Sequence, residues 1–328
     1  MAGALRELRR RINSVESTKQ ITRAQELIAA SRITKARQRA AAARPYSEAL
    51  VAALEAVAMR ARLEHPLLES EGAPQRSAVL VLASDRGFAG AYTANVIRQT
   101  EALRGLLSEQ GQESDSYVVG SKAVTWHRFR ERVITKEYTG FSEYPTYADA
   151  KRIADDLLAA INTPTEQGGV DEIHVVSTHF KSMVTQQVRA RRLFPLVVED
   201  VPEPIHRTEE GAARQESEVT GTSELGATVG SDVTGPMPLY EFEPSPDEVL
   251  DDLLPRYAAN LIYAMLLDAS ASEQAARQRA MKSATDNAEE VQRLLTREAN
   301  AARQAEITQE ISEIVGGADA MSAAAGSE

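Results

Sequence analysis

The two ends of the chain are almost free of the residues that interrupt helices. Residues 3–60 contain no glycine after Gly3 and a single proline, Pro45, and residues 245–315 contain no glycine. These stretches predict two long helices at opposite ends of the sequence. At 1.5 Å per residue, roughly 70 residues make the second helix on the order of 100 Å long. The sequence therefore predicts an elongated, helical molecule with a domain between the two helices.

The apolar residues of both stretches recur at spacings of three and four, which is typical of a helix with a narrow apolar stripe. The stripes are Leu5, Leu8, Ile12, Val15, Ile21, Ala24, Leu27 and Ile28 near the start, and Ala284, Ala288, Val291, Leu295, Ala299 and Ala302 near the end. Two such stripes predict a long antiparallel coiled coil of the N- and C-terminal helices. Pro45 predicts a bend or break near residues 43–44.

The middle of the chain alternates short apolar runs with helical stretches. The predicted strands are 78–82, 116–119, 172–176 and 184–193, and the predicted helices are 90–109, 121–131 and 147–161. This alternation predicts the α/β class, as a small open, Rossmann-like sheet domain. The predicted division is a long helix over 1–62, the α/β domain over 75–202, a flexible insertion over 203–238, a foot segment and long helix over 239–316, and a disordered tail over 317–328.

The composition excludes several classes of function. The chain has no cysteine, which excludes disulfides, thiolate metal sites and a cysteine nucleophile. No apolar run approaches the roughly 18 to 20 residues of a membrane span. The first residues lack the apolar core of a secretory signal, so we expect a protein that stays in the cytoplasm.

No catalytic, cofactor-binding or metal-binding constellation is evident. Residues 120–122 read GSK but lack the upstream glycine and the following hydroxyl of a phosphate-binding loop. The glycine-rich segment SDRGFAG follows a predicted strand and is interpreted as a structural turn, with Ser84, Asp85, Arg86, Gly87 and Gly90 as its defining residues. His174 and His179 lie five residues apart near one strand, on opposite faces, so a shared metal ion is not expected.

The charge is unevenly distributed along the chain. The net charge is −11, yet residues 1–44 carry 11 Lys and Arg against 3 Asp and Glu. A basic arm on an acidic body favours an electronegative partner, with nucleic acid, a membrane surface and an acidic protein loop as candidates. The basic stripe lacks interleaved aromatic residues, so stacking on single-stranded nucleic acid is unsupported.

Three parts of the sequence, in order, resemble the gamma subunits of F-type, proton-translocating ATP synthases. The first is RINSVESTKQITRA at residues 11–24, and the second is the turn at residues 84–90, where that family has SDRGLCG. The third and most specific is the end of the chain, with AMKSATDN at 280–287 and NAARQAEITQEISEI at 300–314. The resemblance covers nearly the whole chain outside about 203–238.

This resemblance implies a non-catalytic rotor shaft without a cofactor, which couples proton flow to conformational change at catalytic sites on other subunits. The implied partners are the alpha and beta subunits of a catalytic ring, the epsilon subunit and a membrane c-ring, with no nucleic acid and no direct small-molecule substrate. Loops of the beta subunits would contact Arg303, Gln304, Thr308, Arg9 and Arg10. Tyr240 and Glu241 would contact the membrane ring and epsilon. The implied location is the cytoplasmic face of the bacterial cell membrane, as a peripheral subunit.

Phe88 and Ala89 depart from the leucine and cysteine that the family carries in the turn, and Gln25 stands where relatives usually have methionine. Two other functions stay open at this point. One is a coiled-coil scaffold or nucleic-acid-binding arm, and the other is a small α/β enzyme that uses its helices for oligomerisation.

Overall fold

The computed structural model describes residues 2–58, 67, 73–196 and 245–325. The elements of these residues are, in chain order, α1 (Ala2–Ala58), β1 (Arg76–Leu82), α2 (Tyr92–Glu109), β2 (Glu113–Val119), α3 (Ser121–Phe129), β3 (Lys136–Tyr138), α4 (Tyr147–Ile161), a 3-10 turn (Thr165–Gln167), β4 (Glu172–Phe180), β5 (Gln186–Phe194) and α5 (Pro246–Ala325). The chain divides into two compact units: a helix pair, Met1–Ala30 with Arg277–Glu328, and a sheet domain, Ser31–Ala276.

The sheet domain is built on a five-stranded mixed sheet with the strand order β3-β2-β1-β4-β5. Strands β1, β2, β3 and β4 are parallel, and β5 pairs antiparallel with β4. The predicted fold class, a small open α/β sheet with long N- and C-terminal helices packed together, is confirmed. The sequence analysis missed β3, because its three residues, Lys-Glu-Tyr, contain no apolar run.

The apolar residues of β1 alternate between two cores. Ala78, Leu80 and Leu82 face a core built with α4 and with parts of α1 and α5, whereas Val79 and Val81 face a second core built with α2 and α3. A strand covered on both faces needs an unbroken apolar run, which is why residues 78–82 are all apolar. The sheet is therefore the middle layer of three.

The sequence analysis predicts a bend or break near residues 43–44, and the break is wrong, because α1 continues through Pro45 to Ala58. A proline inside a helix costs about 3 kcal/mol. The turns that follow are held against α5, since Asn260 donates a buried hydrogen bond of 2.8 Å to the Ser47 hydroxyl and Leu50 and Leu54 lie in the core. Each buried leucine contributes about 1.5–3 kcal/mol, which offsets the cost of the proline.

The last helix extends further than the sequence analysis predicts. Helix α5 continues to Ala325, through most of the segment expected to be a disordered tail over 317–328. The residues after the glycine pair are rich in alanine, the residue with the highest helix propensity. The predicted insertion over 203–238 lies outside the described residues.

Candidate functional site

In the helix pair, polar contacts as well as apolar packing join α1 and α5. The cross-helix contacts are Gln292 Nε2 to Glu16 Oε2 at 2.5 Å, Lys19 Nζ to Glu289 Oε1 at 3.1 Å, and the hydroxyl oxygens of Thr22 and Thr285 at 2.8 Å. The partners on α5 fall from 292 to 285 as the residues on α1 rise from 16 to 22. The two helices therefore run antiparallel, as the sequence analysis predicts.

The face that α1 turns toward α5 differs from the predicted stripe. Thr22, Glu26 and Ala29 are buried, whereas the predicted Ile21 and Leu27 are 63% and 59% exposed. The predicted Ala24 and Ile28 are exposed as well. The buried positions continue the alternating spacing of four and three that begins with Leu8, Ile12 and Val15, so spacing decides burial here and residue type does not.

On α5 the buried positions also differ from the predicted stripe, but at fewer residues. Leu295 and Ala299 are buried, in agreement with the predicted stripe, but Val291 is 42% exposed. Thr285 is buried one position after the predicted Ala284, and Met281, four residues before Thr285, is buried as well. The contact face thus has a seven-residue repeat that includes polar side chains.

As a consequence, the helix pair presents apolar side chains to solvent. The exposed large apolar residues of this unit are Ile21, Leu27, Ile28, Val291, Leu294, Ile307, Ile311, Ile314 and Val315. Exposed apolar surface on this scale is typical of a protein–protein contact. The sequence carried a signal for it, because Ile307, Ile311 and Ile314 recur at helical spacing with no matching stripe on α1.

The residues that the family resemblance assigns to the catalytic ring are all exposed. Arg303, Gln304 and Thr308 lie on neighbouring turns of α5, and the Thr308 hydroxyl donates to the Gln304 carbonyl over 2.9 Å. Arg9 and Arg10 lie near the start of α1, where Arg10 is 3.4 Å from Glu7. By the antiparallel register, Arg303 lies about one helical turn beyond the level of Arg9. Both groups are therefore at the same end of the helix pair.

The turn after β1 is organised by the carboxylate of Asp85. It accepts hydrogen bonds from the backbone N–H groups of Ser121, Gly140 and Ser142 and from the Ser121 hydroxyl, all at 2.9 Å. Burial alone would raise the pKa of Asp85, but these hydrogen bonds outweigh it and the pKa lies below its usual value. The carboxylate thus ties the loops after β1, β2 and β3 together.

The other residues of this turn contact neighbouring parts of the sheet domain or shape its backbone. The Ser84 hydroxyl is buried and bonds to that of Thr93 over 2.7 Å. Arg86 is exposed and lies 3.5 Å from the carboxylate of Glu143. Gly90 has a positive φ of 56°, and a side chain at Gly87 would meet Lys122 only at an ordinary contact distance.

The crevice at which α/β sheets usually bind ligands is filled by the chain itself. It lies at the carboxyl ends of β1 and β4, where the strand order reverses. Here the Tyr92 hydroxyl donates to the Ala269 carbonyl of α5, and the Ser272 hydroxyl donates to the Thr178 carbonyl of β4. Helix α5 therefore packs at the edge of the sheet where α/β enzymes usually bind their ligands, which argues against the small-enzyme interpretation.

The two histidines singled out in the sequence each face a different carboxylate. His174 Nε2 lies 3.0 Å from Glu172, whose other oxygen accepts from Arg192. The hydrogen bond to His174, with that to Arg192, lowers the pKa of Glu172 despite its burial. His179 Nδ1 is 2.5 Å from Asp268 of α5. No group of three or more His, Cys, Asp and Glu suited to a metal ion occurs within residues 2–58, 73–196 and 245–325.

Tyr240 and Glu241, assigned by resemblance to the membrane ring, lie outside the described residues. Across the described part of the chain, no helix combines the length and apolarity that spanning a membrane requires.

Comparisons with known proteins agree along the full length of the chain. The family model described as ATP synthase matches residues 4–321. The ATP synthase gamma chain of Frankia casuarinae is 54% identical over 321 residues, covering 98% of this chain and 99% of the relative. That of Acidothermus cellulolyticus is 53% identical over 328 residues, covering all of both chains.

A solved structure supports the fold independently. A chain of the Euglena gracilis mitochondrial ATP synthase, in a structure of OSCP, F1 and c-ring, superposes with a TM-score of 0.60. The two chains are 16% identical, and the match covers 98% of this chain and 95% of the other. Together with the full-length identity to bacterial relatives, this shows that the chain belongs to the ATP synthase gamma-chain family.

Proposed function

We propose that this chain is a rotor stalk that uses the two sides of its helix pair differently. The inner side, which mixes polar and apolar residues, holds the helices together, and the apolar outer side turns inside a ring of alpha and beta subunits. As a member of the gamma-chain family, the chain is a non-catalytic subunit of the ATP synthase complex. The observation that carries the proposal is the exposure of Ile21, Leu27 and Ile28 beside the buried Thr22 and Glu26. A free-standing coiled coil would bury the isoleucines and leucine instead.

An apolar surface suits a rotating contact. It is held against the ring by the hydrophobic effect, without directional hydrogen bonds that would resist rotation. The asymmetric shaft then favours a different conformation at each catalytic site of the beta subunits in turn. The chemistry of ATP synthesis belongs to those subunits, and proton flow through the membrane ring supplies the rotation.

The basic end of the helix pair provides the more specific contacts. We assign Arg303, Gln304 and Thr308 of α5, with Arg9 and Arg10 of α1, to acidic loops of the beta subunits. Their exposure at one end of the pair supports this assignment. Arginine at a partner contact can contribute a few kcal/mol when it becomes buried against carboxylates.

The test is the double substitution Arg303→Ala with Gln304→Ala in the complete complex. We expect fewer assembled complexes or lower ATP synthesis per assembled complex. The matched control is Arg189→Ala with Gln187→Ala, which removes the same side-chain types from β5 of the sheet domain. Normal assembly and synthesis by the Arg303 and Gln304 variant would contradict the assignment.

We also propose that Tyr240 and Glu241 contact the c-ring and the epsilon subunit, which would place the chain on the cytoplasmic face of the bacterial cell membrane as a peripheral subunit. Because the chain has no cysteine, Tyr240→Cys introduces the only thiol. We expect this thiol to crosslink to a ring subunit or to epsilon. Crosslinks to alpha or beta alone would show that the foot lies elsewhere.

A further inference from the structure

The loop between β3 and α4, residues 140–144, contacts both long helices within the sheet domain. Glu143 is the centre of these contacts. Its carboxylate accepts from Arg32 Nη1 of α1 over 2.7 Å, and its backbone carbonyl accepts from the Ser270 hydroxyl of α5 over 2.9 Å. One residue of the sheet domain is thus bonded to the first long helix by its side chain and to the second by its main chain.

The ion pair is protected from solvent. The side chain of Glu143 is 8% exposed and that of Arg32 is 24% exposed. The ring of Tyr144 supports the pair, since the Arg32 guanidinium lies 5.1 Å from its centre and that of Arg39 lies 5.6 Å away. An ion pair screened in this way is stronger and more directional than one on an open surface.

The loop is also fixed to the sheet. The backbone N–H groups of Gly140 and Ser142 donate to the Asp85 carboxylate, and the Ser142 hydroxyl accepts from the Asp85 N–H, all over 2.9 Å. The contacts therefore form a continuous path from the end of β1, through the loop, to α1 and α5. Hydrogen bonds and ion pairs resist sliding better than apolar packing, because they depend on direction.

We propose that Glu143 is a positioning residue that transmits torque between the sheet domain and the two long helices. This inference rests on the proposed rotor function. It adds the site at which the sheet holds the two long helices against rotation. Without the Glu143 link, α1 would lose its ion pair with this loop, while α5 would keep its hydrogen bonds with Tyr92, Thr178 and His179. Small rotations of α1 against the sheet domain would then meet less resistance. The complex would then hydrolyse ATP while moving fewer protons for each ATP.

The experiment compares Glu143→Ala and the equal-volume Glu143→Gln in the complete complex, reconstituted in vesicles. ATP hydrolysis and ATP-driven proton pumping are measured on the same sample. We expect protons pumped per ATP to fall about threefold or more in Glu143→Ala, with hydrolysis changed less than about twofold, because one contact of a protected charge pair is lost. Glu143→Gln, which keeps a hydrogen-bond acceptor, should show a smaller loss in the same direction.

The control is Glu137→Gln, which removes the same charge from an exposed pair with Arg128 that joins α3 to β3. A second control is Arg32→Ala combined with Glu143→Ala. Because both changes break one link, the double variant should pump no less per ATP than the worse single variant. Ser270→Ala breaks the other link and should lower pumping further when added.

The outcomes separate this inference from the rotor function. If the unsubstituted chain fails to restore pumping to a complex that lacks this subunit, the rotor function is wrong. If it restores pumping and Glu143→Ala pumps as many protons per ATP, Glu143 does not transmit torque. The same conclusion follows if Glu137→Gln causes an equal loss, or if pumping and hydrolysis fall in parallel.

Discussion

In the sheet domain the buried centre of β1, residues 78–82, is entirely apolar, whereas in the helix pair the buried face of α1 includes Thr22 and Glu26. The sheet domain excludes water from both sides of β1, and the apolar residues that it does expose, such as Phe88, Phe129 and Val184, lie outside that strand. The helix pair turns polar residues inward and exposes Ile21 and Leu27. The first arrangement is that of a unit stable by itself, and the second is that of a surface completed by a partner.

The largest expected effect comes from the core of the sheet domain. Leu80 is fully buried in β1, so Leu80→Ala should lower the free energy of unfolding by about 2–5 kcal/mol. The matched change Leu27→Ala, on the exposed face of the helix pair, should alter it by less than about 0.5 kcal/mol. Urea unfolding of the isolated chain measures both. Equal losses would show that the two regions bury their leucines alike.

A second comparison uses glycines. Gly120 has a φ of 98°, and a Cβ there would come within 2.6 Å of the Ala83 carbonyl oxygen. Gly120→Ala should therefore destabilise the chain by about 1–3 kcal/mol or more. Gly316 of α5 has no atom within 4 Å of such a Cβ, so Gly316→Ala should be neutral or stabilising by up to about 1 kcal/mol. Thermal unfolding of the two variants measures both changes in stability. A lower stability of Gly316→Ala would show that the space around Gly316 is not open.

The third prediction concerns the polar face of the helix pair. Thr22→Val alone removes one member of the buried hydroxyl pair and should cost about 0.5–1.5 kcal/mol. Replacing both Thr22 and Thr285 by valine should restore most of that stability, because the Thr285 hydroxyl, which also donates to the Met281 carbonyl, then no longer lies buried against a valine methyl group. A double-mutant cycle on urea unfolding measures the coupling. Additive losses would show that the two hydroxyls act separately.

The smallest effect is expected from pH. The folded-state pKa of Asp85 is lowered by its hydrogen bonds, so its contribution to stability is present above the unfolded-state pKa of about 4 and is lost as the pH falls below it. Asp85→Asn should flatten the decrease in stability below about pH 4. Glu289 of the helix pair also has a lowered pKa, owing to Lys19, but it is exposed to solvent, so Glu289→Gln should flatten the decrease less. A larger effect at Glu289 would reverse the comparison.

The sequence predicted the sheet domain well because its signals are local. Residues 78–82 are an unbroken apolar run, which is the usual composition of a strand covered on both faces. Residues 172–176 contain three apolar residues, Ile173, Val175 and Val176, and read as a strand as well. It could not predict β3, whose place depends on pairing with β2. It also could not show that Glu143 joins two helices that are distant in the sequence.

The helix pair was predicted in type and direction but not in its contact face. Leu8, Ile12 and Val15 set the repeat correctly, and continuing that spacing would have reached Thr22 and Ala29. The predicted stripe instead followed residue type and included Ile21, Ala24, Leu27 and Ile28, which lie on the exposed side of α1. The assumption that apolar residues face the partner helix holds only when no other partner covers them. The assignments of Arg303, Gln304, Thr308, Arg9 and Arg10 rest on the family and stay predictions.

The measurement that tests the central claim most directly is thiol labelling of the outer face. Because the chain has no cysteine, Leu27→Cys and Val184→Cys each introduce a single thiol. Val184 lies on the sheet domain and is 74% exposed, so it serves as the control position. Each variant is labelled with a maleimide, first alone and then assembled with alpha and beta subunits. If the apolar face turns inside the ring, Leu27→Cys will label readily in the isolated chain and slowly in the complex, while Val184→Cys will label readily in both. Equal labelling of Leu27→Cys before and after assembly would contradict the account.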